Sequence, residues 1–459
     1  MPHIVLLGTC DTKLEELLHL RSLILSSTSP SSTPTKVSLI DCGRTLISHP
    51  SITIPQSSVL KHAPSSSSLT TEDFRGLSRG DMITHMITCT TSLILSLLSN
   101  SRNPIHGIIS AGGSGGTSLA SAAMRALPIG FPKLIVSTVA SGHTGPIVAE
   151  TDITLTYSVV DIAGRNHVLD AISENAAAAI GGMAGAYERR QSEGWKQNQT
   201  DTADPASPAK DPATTPNKRS LRVGMTMFGV TTPCIDAARS YLSSLSSSPA
   251  HPYSYTPYVF HATGHGGLAM ERLLRSGDLD AVLDLTTTEV ADHIVGGVMS
   301  AGPDRLRAAA ELGKPCVVSL GACDMVNFGG MHSVPEKFRE RKLVEHNPTV
   351  TLMRTTPTEC TSIGSFISNQ LRQHATRPDL ICVLIPEGGV SILSESGSGG
   401  VFEDAEADRQ LFAAVEEGLK GSGIRVVREE RAINEEGFAR EAVDKLVELI
   451  GRAEEQDRN

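Results

Sequence analysis

Short apolar runs alternate with helix-like segments along most of this chain, and this alternation restricts the fold more than any other feature. Runs of four to seven apolar residues, bounded by glycines and polar residues, are typical of buried parallel strands. The segments between these runs have helical composition. Repeated strand–helix units of this kind predict an α/β protein with two Rossmann-like, doubly wound domains whose sheets are mainly parallel.

The alternation also gives the expected bounds of the elements. Strands are predicted over residues 4–7, 37–40, 105–111, 134–138 and 153–157, and again over residues 223–227, 258–261, 281–285, 316–320, 350–353, 381–385 and 424–427. The main helices are predicted over residues 14–25, 82–98, 118–127, 166–190 and 435–449. Because ligands of open α/β sheets bind beyond the carboxyl ends of the strands, the residues that follow each strand are the site candidates.

A change of composition divides the chain in two. Its 459 residues are too many for one ordinary core. Residues 191–220 are rich in Asp, Thr, Pro, Lys, Asn and Gln and lack any apolar period, which predicts a flexible, solvated linker. We therefore predict an N-terminal domain over residues 1–190 and a C-terminal domain over residues 221–459.

Charge and apolar content restrict the class of partner. The formal net charge is −10, which argues against nonspecific binding of nucleic acid or of a membrane surface. No segment approaches the roughly 20 unbroken apolar residues of a membrane span, and the N-terminus leads directly into a strand instead of a signal peptide. We expect a cytoplasmic protein whose partner is a small-molecule ligand, with neither nucleic acid nor membrane among its partners.

The sequence GGSGGT at residues 112–117 follows a predicted strand and opens a predicted helix. Four glycines allow a ligand to approach the backbone closely, and the N–H groups at a helix start lack intrahelical partners. The spacing matches neither the dinucleotide fingerprint nor the Walker P-loop. The loop predicts the floor of a nucleotide or phosphate site, against the alternative of a tight connection that serves only packing.

The first strand ends in a second polar loop, whose hydroxyls and one lysine suit an oxyanion. Asp11 is a candidate for holding a metal or a ribose, while Asp11 and Thr12 are equally suited to helix capping. The residues that we assign to nucleotide contact are Gly8, Thr9, Asp11, Thr12, Lys13, Gly112, Gly113, Ser114, Gly115, Gly116 and Thr117.

Ionisable residues near strand ends in the second domain are candidates for acid–base catalysis. They are His265, Asp284 and Glu289. A capping box is the alternative for Glu289, which follows three threonines. Arg305, in the first turn of a predicted helix, is either a contact to a substrate anion or a locally paired surface residue.

Eight cysteines show no paired spacing that indicates zinc or a redox dithiol, and the identity of any metal ligands stays unknown. Most cysteines are expected to be small buried residues. Cys10 and Cys234 lie between a predicted strand and a predicted helix, where a helix N-terminus can lower the pKa of a thiol.

Long motifs in a fixed order resemble a known family. They include GTCDTK, SAGGSGGTSLASAAMRALPIGFPKLIVSTVASG, MTMFGVTTPC, FHATGHGG, DLTTTEVAD, SAGPDRL and HNPTVTLMRTTP. Together they resemble the Tm-one-like ATP-binding domain family, which comprises the N-terminal inhibitory domain of the tomato mosaic virus resistance protein and its bacterial and fungal relatives. The resemblance runs from Met1 to about Leu449, and Cys10 stands where a small residue is usual.

The resemblance implies two Rossmann-like domains, ATP binding and a homodimer. We expect Mg²⁺ to accompany ATP. Some relatives carry an additional C-terminal barrel domain, so any reaction that needs a barrel is expected to use a separate partner protein. Two functions stay open at this point. One is an ATP-dependent enzyme that acts on a small metabolite in an interdomain cleft, and the other is a nucleotide-responsive, noncatalytic protein-binding module.

Overall fold

The computed structural model describes residues 1–26, 34–64, 69, 71–193, 218–397 and 399–457. The chain divides into two compact units, Met1–Gln199 and Thr200–Asn459, which are described separately. The last helix of the first unit extends to Ser192, and the first strand of the second begins at Arg219. Most of the predicted linker, residues 194–217, lies outside the described residues.

Six strands form one parallel sheet in the N-terminal unit. They are β1 (His3–Gly8), β2 (Lys36–Asp41), β3 (Ile52–Ile54), β4 (Gly107–Gly112), β5 (Lys133–Ser137) and β6 (Thr154–Tyr157). Their spatial order is β3-β2-β1-β4-β5-β6, so the chain winds outward in both directions from β1 and β4. This order is that of the dinucleotide-binding Rossmann fold.

Helices cover both faces of this sheet. They are α1 (Cys10–Ser26), α2 (Gln56–Leu60), α3 (Thr71–Gly76), α4 (Arg79–Leu98), α5 (Ser114–Arg125), α6 (Gly145–Val148) and α7 (His167–Ser192). Successive side chains of a strand point to opposite faces, so Val5 and Leu7 pack with α4 and α5, whereas Ile4 and Leu6 pack with α1 and α7. The continuous apolar runs of the sequence are therefore the consequence of burial on both faces.

Among the described residues, α4 is the one helix that is long and apolar enough to cross a membrane by length and composition. Four of its apolar side chains, Met86, Cys89, Leu93 and Ile94, are buried in the core of the N-terminal unit.

The C-terminal unit contains nine strands among its described residues. They are β7 (Arg219–Met227), β8 (Tyr253–His261), β9 (Ala281–Thr286), β10 (Cys316–Gly321), β11 (Met325–Phe328), β12 (Leu343–Asn347), β13 (Val350–Arg354), β14 (Ile381–Pro386) and β15 (Arg425–Glu429). The main sheet is parallel, with the order β15-β14-β10-β9-β7-β8. Its strand order changes direction between β7 and β9, so this unit too is doubly wound.

The helices of the C-terminal unit are α8 (Thr232–Ser247), α9 (His265–Arg275), α10 (Thr288–Val295), α11 (Arg307–Glu311), α12 (Pro357–His374), α13 (Ala405–Leu419) and α14 (Glu436–Asp457). The sheets and helices of the two units confirm the prediction of two doubly wound α/β domains with mainly parallel sheets.

One predicted strand belongs to a different sheet. The strand predicted at residues 350–353 is β13, which pairs in antiparallel fashion with β11 and β12 in a separate three-stranded sheet. The hairpin turn between β12 and β13 is held by Asn347, whose side chain accepts hydrogen bonds from the N–H and the hydroxyl of Thr349. The polar residues of β12 gave no strand pattern, so the sequence did not indicate that β13 had an antiparallel neighbour.

Candidate functional site

The candidate site lies beyond the carboxyl ends of β1 and β4, at the point where the strand order of the N-terminal unit reverses. The chain leaves β1 into α1, which packs on one face of the sheet, and leaves β4 into α5, which packs on the other. Because the two connections separate to opposite faces, they leave a crevice between them. Ligands of open α/β sheets bind at such a position.

A cavity of about 500 Å³ opens at this edge. Its lining residues are Thr9, Asp11, Thr12, Lys13, Cys42, Arg44, Arg79, Met82, Ile83, Met86, Gly113, Ser114, Gly115, Gly116, Leu119 and Asp161. We call it the switch-point pocket. Both polar loops that the sequence indicated contribute to it, so the structure brings most of the predicted nucleotide-binding residues together.

The glycine loop supplies backbone donors to the switch-point pocket. Gly113 is the N-cap of α5 and has no side chain with which to cap the helix, so the N–H groups of the first turn are available to an anion. A Cβ on Gly112 would lie 3.2 Å from the Cα of Gly116, which explains the need for glycine where the loop turns back. A Cβ on Gly116 would meet open space.

Three cationic side chains line the pocket. Arg79 lies over the glycine loop, with its Nη2 3.6 Å from the position of a Cβ on Gly115. Lys13 donates through Nζ to the carbonyl of Ile162. Arg44 donates through Nη2 to the carbonyl of Arg75 at 2.9 Å, which ties the loop after β2 to the segment preceding α4.

One face of α4 forms the apolar side of the pocket. Met82, Ile83 and Met86 lie at helical spacing and face the cavity together with Cys42 and Leu119. We call these five residues the apolar floor. The sequence did not indicate this contribution of α4, including that of Arg79. The spacing of its apolar residues was visible, but which helix would face α5 was not.

Asp11 serves a neighbouring turn and does not cap its own helix. Its Oδ2 accepts hydrogen bonds from the N–H groups of Arg44 at 2.8 Å and of Thr45 at 3.0 Å. The hydroxyls of Thr9 and Thr12 lie 2.9 Å apart and form a hydrogen bond at the rim. Asp11 therefore fixes the loop that carries Arg44, while Thr9 and Thr12 present hydroxyls to the pocket.

Three residues assigned to nucleotide contact, Gly8, Gly112 and Thr117, lie outside the lining of the pocket. A Cβ on Gly8 would lie 2.2 Å from Cδ1 of Leu17, so glycine is needed here for the packing of α1 against β1. Thr117 is buried and its hydroxyl lies 2.7 Å from that of Ser137, which joins α5 to β5. In this structure Gly8 and Thr117, like Gly112 where the loop turns back, support the loops and do not line the cavity.

The proposed catalytic carboxylates of the C-terminal unit converge on one buried arginine. Arg305 has no exposed surface and donates to Asp284 through Nη1 at 2.5 Å and through Nη2 at 2.6 Å. Its Nε donates to Glu289 at 2.8 Å, and a third carboxylate, Glu271, lies 3.3 Å from Nη1. Burial raises the pKa of Glu271, against the lowering effect of Arg305. Each of these carboxylates is thus held by permanent protein partners.

His265 does not join this cluster through its side chain, which is exposed at the start of α9. Glu289 instead accepts hydrogen bonds from the N–H groups of Gly264 at 2.9 Å and Gly267 at 3.0 Å. The N-terminus of α9 is therefore occupied by a carboxylate of the protein itself. The catalytic roles of His265, Asp284 and Glu289 stay predictions, and this geometry gives Asp284 and Glu289 a structural task.

The equivalent switch point of the C-terminal unit is filled by the chain. The hydroxyls of Thr231 and Thr286 lie 2.8 Å apart and join the loop that follows β7 to the end of β9. Phe228 and Val230 pack there with Phe402 in a small apolar cluster. The two units therefore share an architecture but differ in whether their switch point is open.

The two cysteines singled out as reactive candidates are buried. Burial raises the pKa of Cys234 to about 12, and burial together with the nearby Asp41 raises that of Cys10 further. The expectation that a helix N-terminus lowers either pKa is therefore wrong, because desolvation of the thiolate outweighs the helix dipole.

Two family models match the chain. Residues 2–189 match the N-terminal domain, and residues 220–450 the C-terminal domain, of a family described as "Uncharacterised protein family (UPF0261)". The chain is 40% identical to the UPF0261 protein mlr3387 of Mesorhizobium japonicum over 96% of its own length and 97% of that protein. It is 44% identical to a UPF0261 protein of Clostridium tetani over 75% of its length and 76% of that protein.

The chain is also similar to a plant protein. It is 38% identical to the tomato (Solanum lycopersicum) "ToMV resistance protein Tm-1(GCR237)" over 98% of its own length. It spans 56% of the tomato protein, so what the whole tomato protein does is not assigned to this chain. The match confirms the resemblance inferred from the sequence motifs.

Proposed function

This chain belongs to the UPF0261 family, and we propose that its N-terminal unit binds a nucleoside triphosphate, with ATP as the expected ligand, in the switch-point pocket. The proposal is supported by one observation above all. The N-terminus of α5 is uncapped and opens into a cavity of about 500 Å³ at the reversal of the strand order. Backbone donors at such a position favour phosphate oxygens.

The contrast with α9 supports this interpretation. Each helix follows a strand of a doubly wound sheet and begins at a glycine-rich loop. Both helices have a glycine as N-cap, but at α9 the carboxylate of Glu289 accepts the N–H groups of Gly264 and Gly267, whereas no described side chain caps the start of α5. The protein itself thus supplies the anion at the start of α9, whereas the start of α5 is open to an anionic ligand.

The residues around the α5 loop fit a polyphosphate. Arg79 and Lys13 supply positive charge, and the hydroxyls of Thr9 and Thr12 supply donors on the opposite side of the crevice. Among the described residues, no group of three or more His, Cys, Asp or Glu side chains could hold a metal ion. Mg²⁺ would accordingly enter as a nucleotide complex, coordinated mainly by phosphate oxygens and water.

The test is calorimetric titration of the protein with ATP, with and without Mg²⁺. Gly116→Val is the sharpest variant, since a Cβ on Gly116 would meet open space and Gly116 lines the pocket. Gly115→Val is less clean, because a Cβ there already lies 3.5 Å from Ile83. Gly182→Val, at an open position in α7, is the matched control.

Binding of ATP to the parent and to Gly182→Val, with at least a tenfold loss in Gly116→Val, is the expected result. Circular dichroism spectra should be the same for all three proteins. Equal affinity in Gly116→Val would place the nucleotide elsewhere, and no binding by the parent would refute the proposal.

Two candidate functions differ in whether bound ATP is turned over. The first is an ATP-dependent enzyme that acts on a small metabolite. The second, a nucleotide-responsive protein-binding module, is favoured by the similarity to the tomato resistance protein and by the commitment of Asp284 and Glu289 to Arg305. Release of phosphate from ATP, abolished by Gly116→Val, would favour the enzyme. Binding without turnover would favour the module.

The assembly state is proposed from the resemblance of the sequence motifs to the family. We expect a homodimer. Light scattering coupled to gel filtration, with and without ATP, tests this expectation. A monomeric mass at micromolar concentration under both conditions would contradict it.

A further inference from the structure

We infer that the switch-point pocket binds the ligand's phosphates through Arg79 and the α5 loop, that the apolar floor holds its ring, and that the described side chains of the floor do not select among bases. This inference rests on the proposed function and adds the orientation of the ligand and the basis of its selectivity. Arg79 is assigned as an anion-binding residue, and the nucleobase is expected to be interchangeable.

The position of Arg79 supports the assignment of the phosphates to Arg79 and the α5 loop. Its guanidinium lies over Gly115, the second residue of α5, so an anion bound to the N–H groups of that turn would be within reach of the guanidinium. Within the described residues, no carboxylate or carbonyl accepts a hydrogen bond from Arg79. Lys13 and Arg44, by contrast, donate to backbone carbonyls. Among the three cations of the pocket, Arg79 is thus the one whose guanidinium has no carboxylate or carbonyl partner among the described residues, so its donors are available to a ligand.

The backbone around Arg79 is also fixed in place. Ser78 caps α4, with its hydroxyl accepting from the N–H of Asp81 at 3.2 Å. Arg44 binds the carbonyls of Arg75 and Leu77, directly before this cap. The start of α4 is therefore held by the chain, and Arg79 extends from a defined position over the glycine loop.

The distribution of burial within the pocket supports the placement of the ligand's ring on the apolar floor. Met82 and Ile83 of α4 are half-buried and present apolar surface to the cavity, whereas Met86 is almost completely buried. The cationic residues Arg44 and Arg79 are exposed. A ligand that satisfies both regions has an uncharged, apolar end and an anionic end, as a nucleotide has. A sugar phosphate or a free polyphosphate would leave the floor uncovered.

The chemistry of the floor supports the inference that the pocket does not select among bases. Its described side chains are thioether, thiol and hydrocarbon, and the one thiol, that of Cys42, lies 3.5 Å from the hydroxyl of Thr90. A base is discriminated strongly only when buried donors and acceptors lose their partners with the wrong base. An apolar surface contacts the face of any base equally well. The floor therefore favours a ring without selecting among bases.

The experiment measures the affinities of ATP, GTP, CTP, tripolyphosphate and adenosine for the parent protein by calorimetry. Two variants are measured with the same ligands. Arg79→Gln removes the charge over the loop, and Met82→Ala reduces the floor at a partly buried position. Arg102→Gln, at an exposed arginine beyond the end of α4, is the matched control.

ATP, GTP and CTP are expected to bind within about tenfold of one another, and tripolyphosphate more weakly than any of them. Arg79→Gln should weaken the three nucleotides and tripolyphosphate by roughly tenfold or more, as for the loss of a charge-assisted hydrogen bond, and leave adenosine unchanged. Met82→Ala should weaken nucleotides and adenosine but not tripolyphosphate. Arg102→Gln should bind as the parent does.

A hundredfold preference for one base would overturn the inference while leaving the proposed function intact, as would unchanged affinity for ATP in Arg79→Gln. Tripolyphosphate binding as tight as ATP would also overturn it, because the floor would then contribute nothing. Absence of binding by every nucleotide would overturn the inference and the proposed function together.

Discussion

Arg305 and Asp284 form a two-pronged ion pair in the interior of the C-terminal unit, with N–O distances of 2.5 and 2.6 Å. Arg305 has no exposed surface and Asp284 only 3%. The pair joins the segment before α11 to the centre of the main sheet, and Glu289 extends it to the N-terminus of α9. One buried cation thus connects three parts of the fold.

Replacing Arg305 is therefore expected to destabilise the protein strongly. Arg305→Met would leave Asp284, Glu289 and Glu271 buried without their common cation, which for a buried pair costs about 3–5 kcal/mol. Urea unfolding followed by circular dichroism measures the loss. Arg239→Met, which breaks an exposed pair with Asp236, is the control and should cost less than about 1 kcal/mol. Equal losses would show that the buried network contributes little.

A second prediction concerns pH. Burial raises the pKa of Asp292 from 3.8 to about 7, against the lowering effect of hydrogen bonds from Asn327 and Met299. The folded state therefore holds a proton that the unfolded state releases above pH 3.8. The contribution of this group to stability is fully present below pH 3.8 and is lost as the pH rises to about 7.

Asp292→Asn removes this titration. The stability of the parent relative to the variant should fall as the pH rises from 4 to 7, by at most about 1.4 kcal/mol per pH unit. Thermal unfolding of both proteins at several pH values in this range measures the difference. A stability difference that is constant with pH, or that grows as the pH rises, would contradict the raised pKa.

Gly8 is expected to matter for packing and not for ligand binding. In Gly8→Ala the new methyl would overlap Leu17, which is buried, and overpacking of this kind costs about 1–3 kcal/mol. A double-mutant cycle with Leu17→Ala should recover part of that loss, since the shorter side chain leaves room. The affinity for ATP should be unchanged. Loss of ATP binding by a folded Gly8→Ala protein would return Gly8 to the nucleotide site.

Val159 is expected to store backbone strain. Its φ is +62°, which a β-branched residue rarely adopts, and the N–H of Val160 donates to the carbonyl of Ser158 at 2.6 Å across this turn. Its side chain is 59% exposed, so little packing is lost on truncation. Val159→Gly should leave stability unchanged or raise it by up to about 1 kcal/mol.

The control for Val159 is Val139→Gly, at another exposed valine of the same unit that does not have a positive φ. This change should destabilise by about 0.5–1 kcal/mol, because glycine gains freedom in the unfolded chain. Thermal unfolding compares the two variants. Equal destabilisation by both would show that the turn at Val159 is unstrained.

The glycine loop illustrates how far local sequence leads. Its position between an apolar run and a helical segment predicted a strand, a tight turn and an open helix start, and β4, Gly113 and α5 follow that order. The same reasoning grouped Gly8 and Thr117 with the pocket, where the structure gives them packing tasks. A turn residue and a ligand contact have the same sequence pattern, and only the neighbours of the side chain separate them.

The sequence by itself determined the succession of strands and helices, the doubly wound architecture and the two loops that line the switch-point pocket, because the period of apolar residues and the demand for glycine are set by local backbone geometry. Tertiary structure alone decided that α4 faces α5 and brings Arg79 over the loop, that Glu289 fills the N-terminus of α9, and that Asp284 binds Arg305. These contacts depend on strand order and helix packing, which place residues distant in sequence side by side.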